Sequence, residues 1–350
     1  MWQHIDLVSF FLGLQSPLES RGGERLLSVI ESGEPGVNSV AIVILTRRKC
    51  GLSRCITRYL LAMATSDLMV VIIAVAVEQI NNMFLLIKVL FITPVCSFTL
   101  VLRFAALDCS VWFTVAFTFD RFVAICCQKL RVKYCTERTA IIIVAIITFV
   151  GCARSVPFFF AVNPHVVIDE VPWYCIPKPE YFTSPVWRIR ELIDSIMTPL
   201  LPICLILLFN ALTVRHIIAA NRLRKGLRSS VESQKDPEVE NRRKSMILLF
   251  AISANFILLW LTYVVHSFKW QVQNVYYRDK YLNSPVYNIQ QFGFMLQFLS
   301  SCTNTCIYGF TQKKFREELK NGVKFLVTFD GRLCKLKNIF FMTQLNERKA

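Results

Sequence analysis

Seven apolar stretches separated by polar loops constrain the fold of this 350-residue chain more than any other feature. A helix needs about 20 apolar residues to cross a bilayer, and a segment in lipid must satisfy its own backbone hydrogen bonds. We therefore expect an all-α membrane protein, a bundle of seven transmembrane helices. The expected spans are about 26–46, 58–80, 94–126, 139–161, 190–218, 245–269 and 286–310.

The composition agrees with a membrane protein and excludes an ordinary soluble domain. Hydrophobic residues make up 54% of the chain. A net charge of +16 could suit a nucleic-acid partner, but the cations lie in short loops beside apolar runs and form no face interleaved with aromatics. This placement predicts contact with anionic membrane lipids and no binding of nucleic acid.

The basic residues also predict how the spans are oriented. They are concentrated in the first, third and fifth connections, whereas the second connection has essentially Lys88 alone. Short cytoplasmic loops are enriched in Lys and Arg, so we expect the N-terminus outside the cell and the C-terminus in the cytoplasm.

Two of the 13 cysteines fall where an oxidising exterior would meet the chain. Cys96 begins the third span and Cys175 lies in the fourth connection, so we expect a disulfide between them. Such a bond would stabilise the fold by roughly 4 kcal/mol in the chain-entropy model. The remaining cysteines form no CxxC pair, which argues against a zinc site.

Polar residues within the spans are costly and are therefore candidates for function. A cluster of Asp, Asn and Ser oxygens could hold a small cation such as sodium, or form a hydrogen-bonded network that joins helices. The sequence leaves both interpretations open. The residues of this group are Asn38, Asp67, Ser110, Ser300, Ser301 and Asn304.

The inner end of the third span carries Asp120 and Arg121. Arg121 could pair with its neighbour, reach a partner protein, or simply extend its charge to the interface. After the seventh span, Phe315 and Leu319 are spaced four apart among basic residues, which predicts a short amphipathic eighth helix on the membrane surface.

The first span is the weakest of the seven. Glu31, Glu34 and Pro35 fall in its outer half, so this helix is short or its sequence is wrongly recorded. We expect an extracellular N-terminal segment at 1–35, a seven-span domain at 36–310, and a cytoplasmic surface helix and tail at 311–350.

Several motifs, in order and at the right spacing, resemble those of the rhodopsin-like (class A) G-protein-coupled receptors. Cys96 stands 25 residues before Arg121, the spacing of this family between its disulfide cysteine and its motif arginine. The resemblance covers about 36–325. Its motifs are Gly36-Val-Asn38, Leu61 to Asp67, Asp120-Arg121-Phe122, Pro202, Phe256 with Trp260, and Asn304-Thr305-Cys306-Ile307-Tyr308 followed by Phe315.

The chain also departs from the family pattern. Thr262 and Thr305 stand where prolines are usual, which makes the usual bend of the sixth helix doubtful. Arg242 occupies the place where some members carry a Glu that holds Arg121, so the inactive state should be less firmly held. Phe122 replaces a Tyr, and Asn210 stands where a Tyr is common in the fifth helix.

The resemblance implies a plasma-membrane receptor, not an enzyme, with no cofactor beyond an allosteric sodium ion at Asp67. A heterotrimeric G protein, of the calcium-mobilising type by analogy with the subfamily, would bind the cytoplasmic face. In these departures the chain most resembles a group of orphan receptors that respond to aromatic amino acids. The same group has relatives that bind short peptides. The residues implied in coupling and switching are Asp120, Arg121, Phe256, Trp260 and Tyr308.

Arg103 stands where amine receptors carry an Asp, which argues for a ligand with a carboxylate or carbonyl group. A zwitterionic aromatic amino acid or short peptide would fit, unless Arg103 only pairs internally with Glu78 and orders the bundle. The other candidates for ligand binding are Glu78, Phe104, Glu191, Asp194, Tyr263, His266, Gln290, Phe294 and Phe298.

Three other interpretations remain. A transporter would show broken helices and internal repeats, and neither is visible in the sequence. An intramembrane enzyme would need a catalytic pair, and Asp67 has no such mate. A non-signalling receptor with a defective first helix is the third.

Overall fold

The computed structural model describes residues 37–47, 52–79, 92–227, 237–273 and 285–321. Within these ranges five helices are long and apolar enough to cross a membrane, and the helix Val37–Thr46 is a shorter apolar one. The predicted segment 1–35 lies outside the described residues. The result is a bundle of seven transmembrane helices, as the sequence predicts.

The first three spans are α1 (Val37–Thr46), α2 (Arg54–Gln79) and α3 (Thr93–Cys126). A short helix, α4 (Gln128–Tyr134), precedes the fourth span, which consists of α5 (Glu137–Ser155) and a 3₁₀ turn, Val156–Phe160. Thr136 caps α5 by accepting a hydrogen bond from the backbone N–H of Thr139.

The fourth connection forms two small antiparallel sheets. β1 (Val162–Asn163) pairs with β4 (Ile176–Pro177), and between them β2 (Val166–Ile168) pairs with β3 (Val171–Trp173). Asp169 and Glu170 make the hairpin turn with positive φ angles. Trp173 also bridges to Ile92, which brings the hairpin to the start of the third span.

The fifth span is irregular. After α6 (Pro179–Thr183) come α7 (Pro185–Ser195), a π-helical segment (Ile196–Leu200) and α8 (Leu201–Leu227). Thr198 has non-helical angles (φ −149°, ψ 90°) because Pro199 disfavours the α conformation of the residue before it.

The sixth span is a single helix, α9 (Pro237–Gln273), and the seventh is α10 (Pro285–Thr311). α9 runs without interruption through Thr262, which stands where a proline would bend the helix. The eighth helix, α11, spans 313–321. The rings of Tyr308 and Phe315 meet edge to face at 6.0 Å, which attaches this helix to the seventh span.

The third span is the centre of the bundle. It contacts the second, fourth, fifth and sixth spans, and the sixth span packs along the seventh. We call the end of the bundle near Cys175 the disulfide end, and the opposite end, near Arg121, the basic end. The largest apolar cluster lies toward the basic end, where Tyr59, Phe117 and Leu248 are fully buried.

Candidate functional site

The disulfide end is closed by the bond between Cys96 and Cys175, as the sequence predicts. The hydroxyl of Thr93 donates a hydrogen bond to the backbone oxygen of Tyr174 at 2.7 Å. Phe158 and Tyr181 pack in the same apolar cluster. Burial, followed by the nearby charge of Glu191, raises the pKa of the Tyr181 phenol well above its ordinary value. The fourth connection is thus attached firmly to the third span.

Arg103 lies inside the bundle with only 7% of its surface exposed. Its guanidinium carbon is 5.6 Å from the centre of the Phe298 ring, so a cation–π contact joins the third and seventh spans. The neighbouring Gln297 is also buried, and its amide nitrogen has no hydrogen-bond partner among the described residues. Arg103 therefore places a buried cation at the contact of the third and seventh spans, where an anionic group can bind.

Four aromatic rings, from Phe294 of the seventh span to Phe256 of the sixth, form a series of contacts that we call the aromatic ladder. Phe294 lies 5.6 Å from Tyr263, Tyr263 meets Trp260 edge to face at 6.0 Å, and Trp260 lies 5.3 Å from Phe256. Through these rings, the predicted ligand-binding residues Tyr263 and Phe294 are connected to the predicted switch residues Trp260 and Phe256.

Phe104 belongs to a different environment. Its ring stacks on Phe158 at 4.1 Å, within the apolar cluster around the disulfide. It packs beside the fourth span and is not part of the aromatic ladder. The side chains of Glu78, His266 and Gln290 lie outside the described residues, although their backbones fall within the second, sixth and seventh spans. Their part in binding stays a prediction.

Asp194, a predicted ligand-binding residue, is held by two arginines. Arg154 donates to Asp194 Oδ1 at 3.0 Å, and the Nε of Arg190 donates to Oδ2 at 2.7 Å. Arg154 also donates to both carboxylate oxygens of Asp108, each at 2.8 Å. Thr198 donates to Asp108 as well. Asp194 is therefore part of an ion-pair cluster that joins the third, fourth and fifth spans.

The polar residues of the first, second, third and seventh spans form one network around Asp67. Its two carboxylate oxygens accept from Ser110 at 2.5 Å and from Asn304 at 3.0 Å. Asn38 donates to the backbone oxygen of Ser301 at 3.2 Å, and its own side-chain oxygen accepts from Thr305 at 3.0 Å. Thr305, which replaces a proline, thus anchors the first span to the seventh. Ser300 is buried beside them.

At the basic end, Arg121 contacts both its neighbour and the sixth span. Its Nε donates to Asp120 Oδ2 at 3.0 Å, a second nitrogen also binds Asp120, and its Nη1 donates to the hydroxyl of Ser245 at 3.1 Å. Among the described residues, Ser245 therefore supplies a sixth-span partner for Arg121. The side chain of Arg242 lies outside the described residues.

Asp120 is buried and receives two further groups. The thiol of Cys55 donates to its Oδ1 at 3.0 Å, and the thiol of Cys135 lies 3.6 Å from its backbone oxygen. Burial, followed by the negative charge of Asp120, raises the pKa of the Cys135 thiol to about 12. Nearby, Arg58 donates to Glu137 at 2.7 and 3.0 Å, which joins the second span to the start of the fourth.

Several residues of this arrangement were not identified from the sequence, among them Asp108, Arg154 and Ser245. The two charged residues fall inside predicted spans, and a charge in lipid is itself a signal. Ser245 gives no signal of its own, because a serine at the start of a predicted span is common. Its importance depends on its contact with Arg121.

The chain matches the family model of the 7 transmembrane receptor (rhodopsin family) over residues 37–308. The match extends from the first span into the seventh, and it includes the cystine, the Asp120-Arg121 motif and most of the chain. This chain belongs to the rhodopsin family of seven-transmembrane, G-protein-coupled signalling receptors.

Proposed function

We propose that this receptor binds a small zwitterionic ligand, an aromatic amino acid or a short peptide, at the disulfide end, and activates a heterotrimeric G protein at the basic end. The disulfide end then faces outward from the plasma membrane, the basic end faces the cytoplasm, and the chain itself performs no catalysis. The observation that carries the ligand class is the buried guanidinium of Arg103 beside an aromatic ladder.

The contacts favour a ligand carboxylate at Arg103. A guanidinium presents planar donors that match the two oxygens of a carboxylate. The amide of Gln297, next in sequence to Phe298 and without a partner among the described residues, is a further donor in the seventh span. The rings of Tyr263 and Phe294 offer apolar surface for an aromatic side chain. Asp194 is held by two arginines, and the charge of Glu191 lies near the phenols of Tyr181 and Tyr263. Glu191, or alternatively Glu78, is the proposed partner of the ligand ammonium.

The aromatic ladder supports a route from ligand to G protein. A ligand that displaces Tyr263 or Phe294 would change the packing of Trp260 and Phe256 in the sixth span. Movement of the sixth span would separate Ser245 from Arg121 and expose the arginine to the G protein. A calcium-mobilising G protein is the proposed partner, with membrane lipids around the spans.

The test is a screen of aromatic amino acids and short peptides on cells that express the chain, with calcium and cyclic nucleotide as readouts. Each active compound is compared with its C-terminal amide, which lacks the carboxylate. The proposal expects the amide to lose potency on the wild type, and Arg103→Ala to lose the response while Arg188→Ala, an exposed arginine near the same end, keeps it. Equal potency of acid and amide would refute the role of Arg103.

The Asp67 network is also the proposed site of an allosteric sodium ion. The carboxylate of Asp67 and the hydroxyl of Ser110 supply oxygens that suit a small hard cation, with Ser300, Ser301 and Asn304 nearby. An ion there would supply positive charge to the buried carboxylate and hold the third and seventh spans together. Replacing sodium chloride by choline chloride should lower the melting temperature of the wild type and leave Asp67→Asn unchanged; no difference for the wild type would exclude the ion.

A further inference from the structure

The contact between Arg121 and Ser245 joins the third span to the sixth at the basic end. Arg121 is 6% exposed, and Asp120 already holds its Nε and Nη2. Its Nη1 reaches the Ser245 hydroxyl at 3.1 Å. A neutral hydroxyl is a weak partner for a guanidinium, so this contact would become much stronger if the serine carried a negative charge.

The sequence before Ser245 supplies the pattern for adding such a charge. Arg242, Arg243 and Lys244 directly precede the serine, and Met246 follows it. Protein kinases with acidic substrate grooves select a serine that follows consecutive cations, because opposite charges guide binding and fix register. Arg243 is exposed, and Ser245 is partly buried.

We propose that Ser245 is a phosphorylation site for a basic-directed protein kinase, and that the phosphate binds Arg121 and holds the receptor in its inactive state. The kinase transfers the γ-phosphoryl group of ATP to Ser245 Oγ. A new O–P bond forms there, the bond from the γ-phosphorus to the bridging oxygen of ADP breaks, and the kinase base takes the hydroxyl proton.

The distance explains how the phosphate would act. Oγ is already at hydrogen-bonding distance from Nη1, so the phosphate oxygens attached to it lie within reach of the same guanidinium. A phosphoserine carries a charge of about −1.5 to −2 and pairs with arginine through short, charge-assisted hydrogen bonds. The inhibitory effect rests on the proposed function, in which Arg121 must leave Ser245 to meet the G protein.

Access to Ser245 depends on the state of the receptor. The serine lies eight residues after Pro237, where α9 begins, and a kinase binds its substrate as an extended segment. Modification therefore requires the first turns of α9 to open locally, and helix ends are among the least stable parts of a fold. Separation of the third and sixth spans would release the serine, so the active receptor is modified faster and the phosphate then closes the contact again.

The experiment uses the full-length receptor in lipid nanodiscs, incubated with ATP and the catalytic subunit of a basic-directed kinase. Mass spectrometry should find phosphate on Ser245, and Arg243→Ala should reduce its stoichiometry although the hydroxyl is unchanged. Ser229→Ala, which removes a serine preceded by a single arginine, should have no effect on Ser245. A wild-type receptor without phosphate on Ser245, under conditions in which a peptide covering 238–250 is phosphorylated, would overturn the assignment.

The consequence is measured separately, as nucleotide exchange on a purified G protein. Phosphorylation should reduce exchange about 5-fold or more, within the usual range of coupling between sites. Phosphatase should restore it, and Ser245→Ala should not respond to the kinase. Stoichiometric phosphate with unchanged exchange would overturn the inhibitory contact, whereas a receptor that never promotes exchange, modified or not, would instead contradict the proposed function.

Discussion

Arg154 of the fourth span donates to both carboxylate oxygens of Asp108 of the third span, each at 2.8 Å. The same guanidinium reaches Asp194 of the fifth span at 3.0 Å. Because Arg190 completes the cluster, two acids and two bases neutralise each other where three spans meet. A membrane interior has little water to replace a lost partner, so this cluster should bind the three helices strongly.

Replacing Arg154 by Gln should therefore destabilise the receptor by about 3 kcal/mol, since Asp108 is left buried without its main cationic partner. The measurement is thermal unfolding in detergent. In a double-variant cycle with Asp108→Asn, the combined loss should be smaller than the sum of the single losses by about 2 kcal/mol.

Arg54 gives the matched control. It pairs with Glu137 at 3.6 Å, but its side chain is 75% exposed, so Arg54→Ala should cost less than about 1 kcal/mol. If Arg154→Gln and Arg54→Ala had equal effects, the cluster would not have the stabilising role that its geometry indicates.

The disulfide gives a second stability prediction. Cys96 and Cys175 are 79 residues apart in sequence, and a loop of this length predicts a loss of roughly 4 kcal/mol when the bond is removed. Cys96→Ser, Cys175→Ser and the double variant should all lower the melting temperature equally. Cys204→Ser, which removes an exposed free thiol, should leave it unchanged. A double variant much less stable than either single variant would contradict a simple loss of one bond.

The sequence predicted the bundle well, because a long apolar run in lipid has no alternative to a helix. The third span was predicted at 94–126 and extends from Thr93 to Cys126. The network around Asp67 was also expected, since each of its members is a polar residue inside a span. Its pairing of Thr305 with Asn38 was not expected, because it depends on how the first and seventh spans pack.

Sequence reasoning could not supply the partners of Asp194, whose role in ligand binding stays a prediction. An acid near the outer end of a span looks the same whether it faces a ligand or a neighbouring helix. Only the packing of the fourth span brings Arg154 to it. The break at Thr198 has a similar cause, since Pro199 distorts the helix locally and this lets the threonine reach Asp108.

The rate at which the Cys135 thiol is alkylated should show an unusual dependence on pH. Because its pKa is raised to about 12, the reactive thiolate is rare at neutral pH. Alkylation by iodoacetamide, followed on the Cys135 peptide by mass spectrometry, should therefore rise about tenfold for each pH unit between 7 and 10. The urea-unfolded chain is the control, and there the rate should level off above the ordinary thiol pKa of about 8.5. A plateau near that pH in the folded receptor would mean that Asp120 and burial do not control this thiol.

The last prediction concerns the close approach of the third and fourth spans at Gly151. A Cβ placed there would lie 2.9 Å from the sulfur of Cys109, and 3.6 Å from Asp108 Oδ2. Gly151→Ala should therefore force the two helices apart and cost about 1–3 kcal/mol in stability, as overpacking usually does. Gly309→Ala, in the seventh span, is the matched control, because a Cβ there meets nothing within 4 Å and alanine favours the helix.

The cause of that loss can be separated from any general effect of alanine. Removing the sulfur with Cys109→Ala opens the space that the new methyl group needs, so Gly151→Ala with Cys109→Ala should be more stable than Gly151→Ala alone. Asp108, which pairs with Arg154, lies beside the same contact. A separation of the two helices there should therefore also weaken this ion pair. If the double variant were no better than the single one, the sulfur would not be the atom in conflict. The next nearest atoms to the added Cβ are Asp108 Oδ2 at 3.6 Å and the backbone oxygen of Ala105 at 3.7 Å.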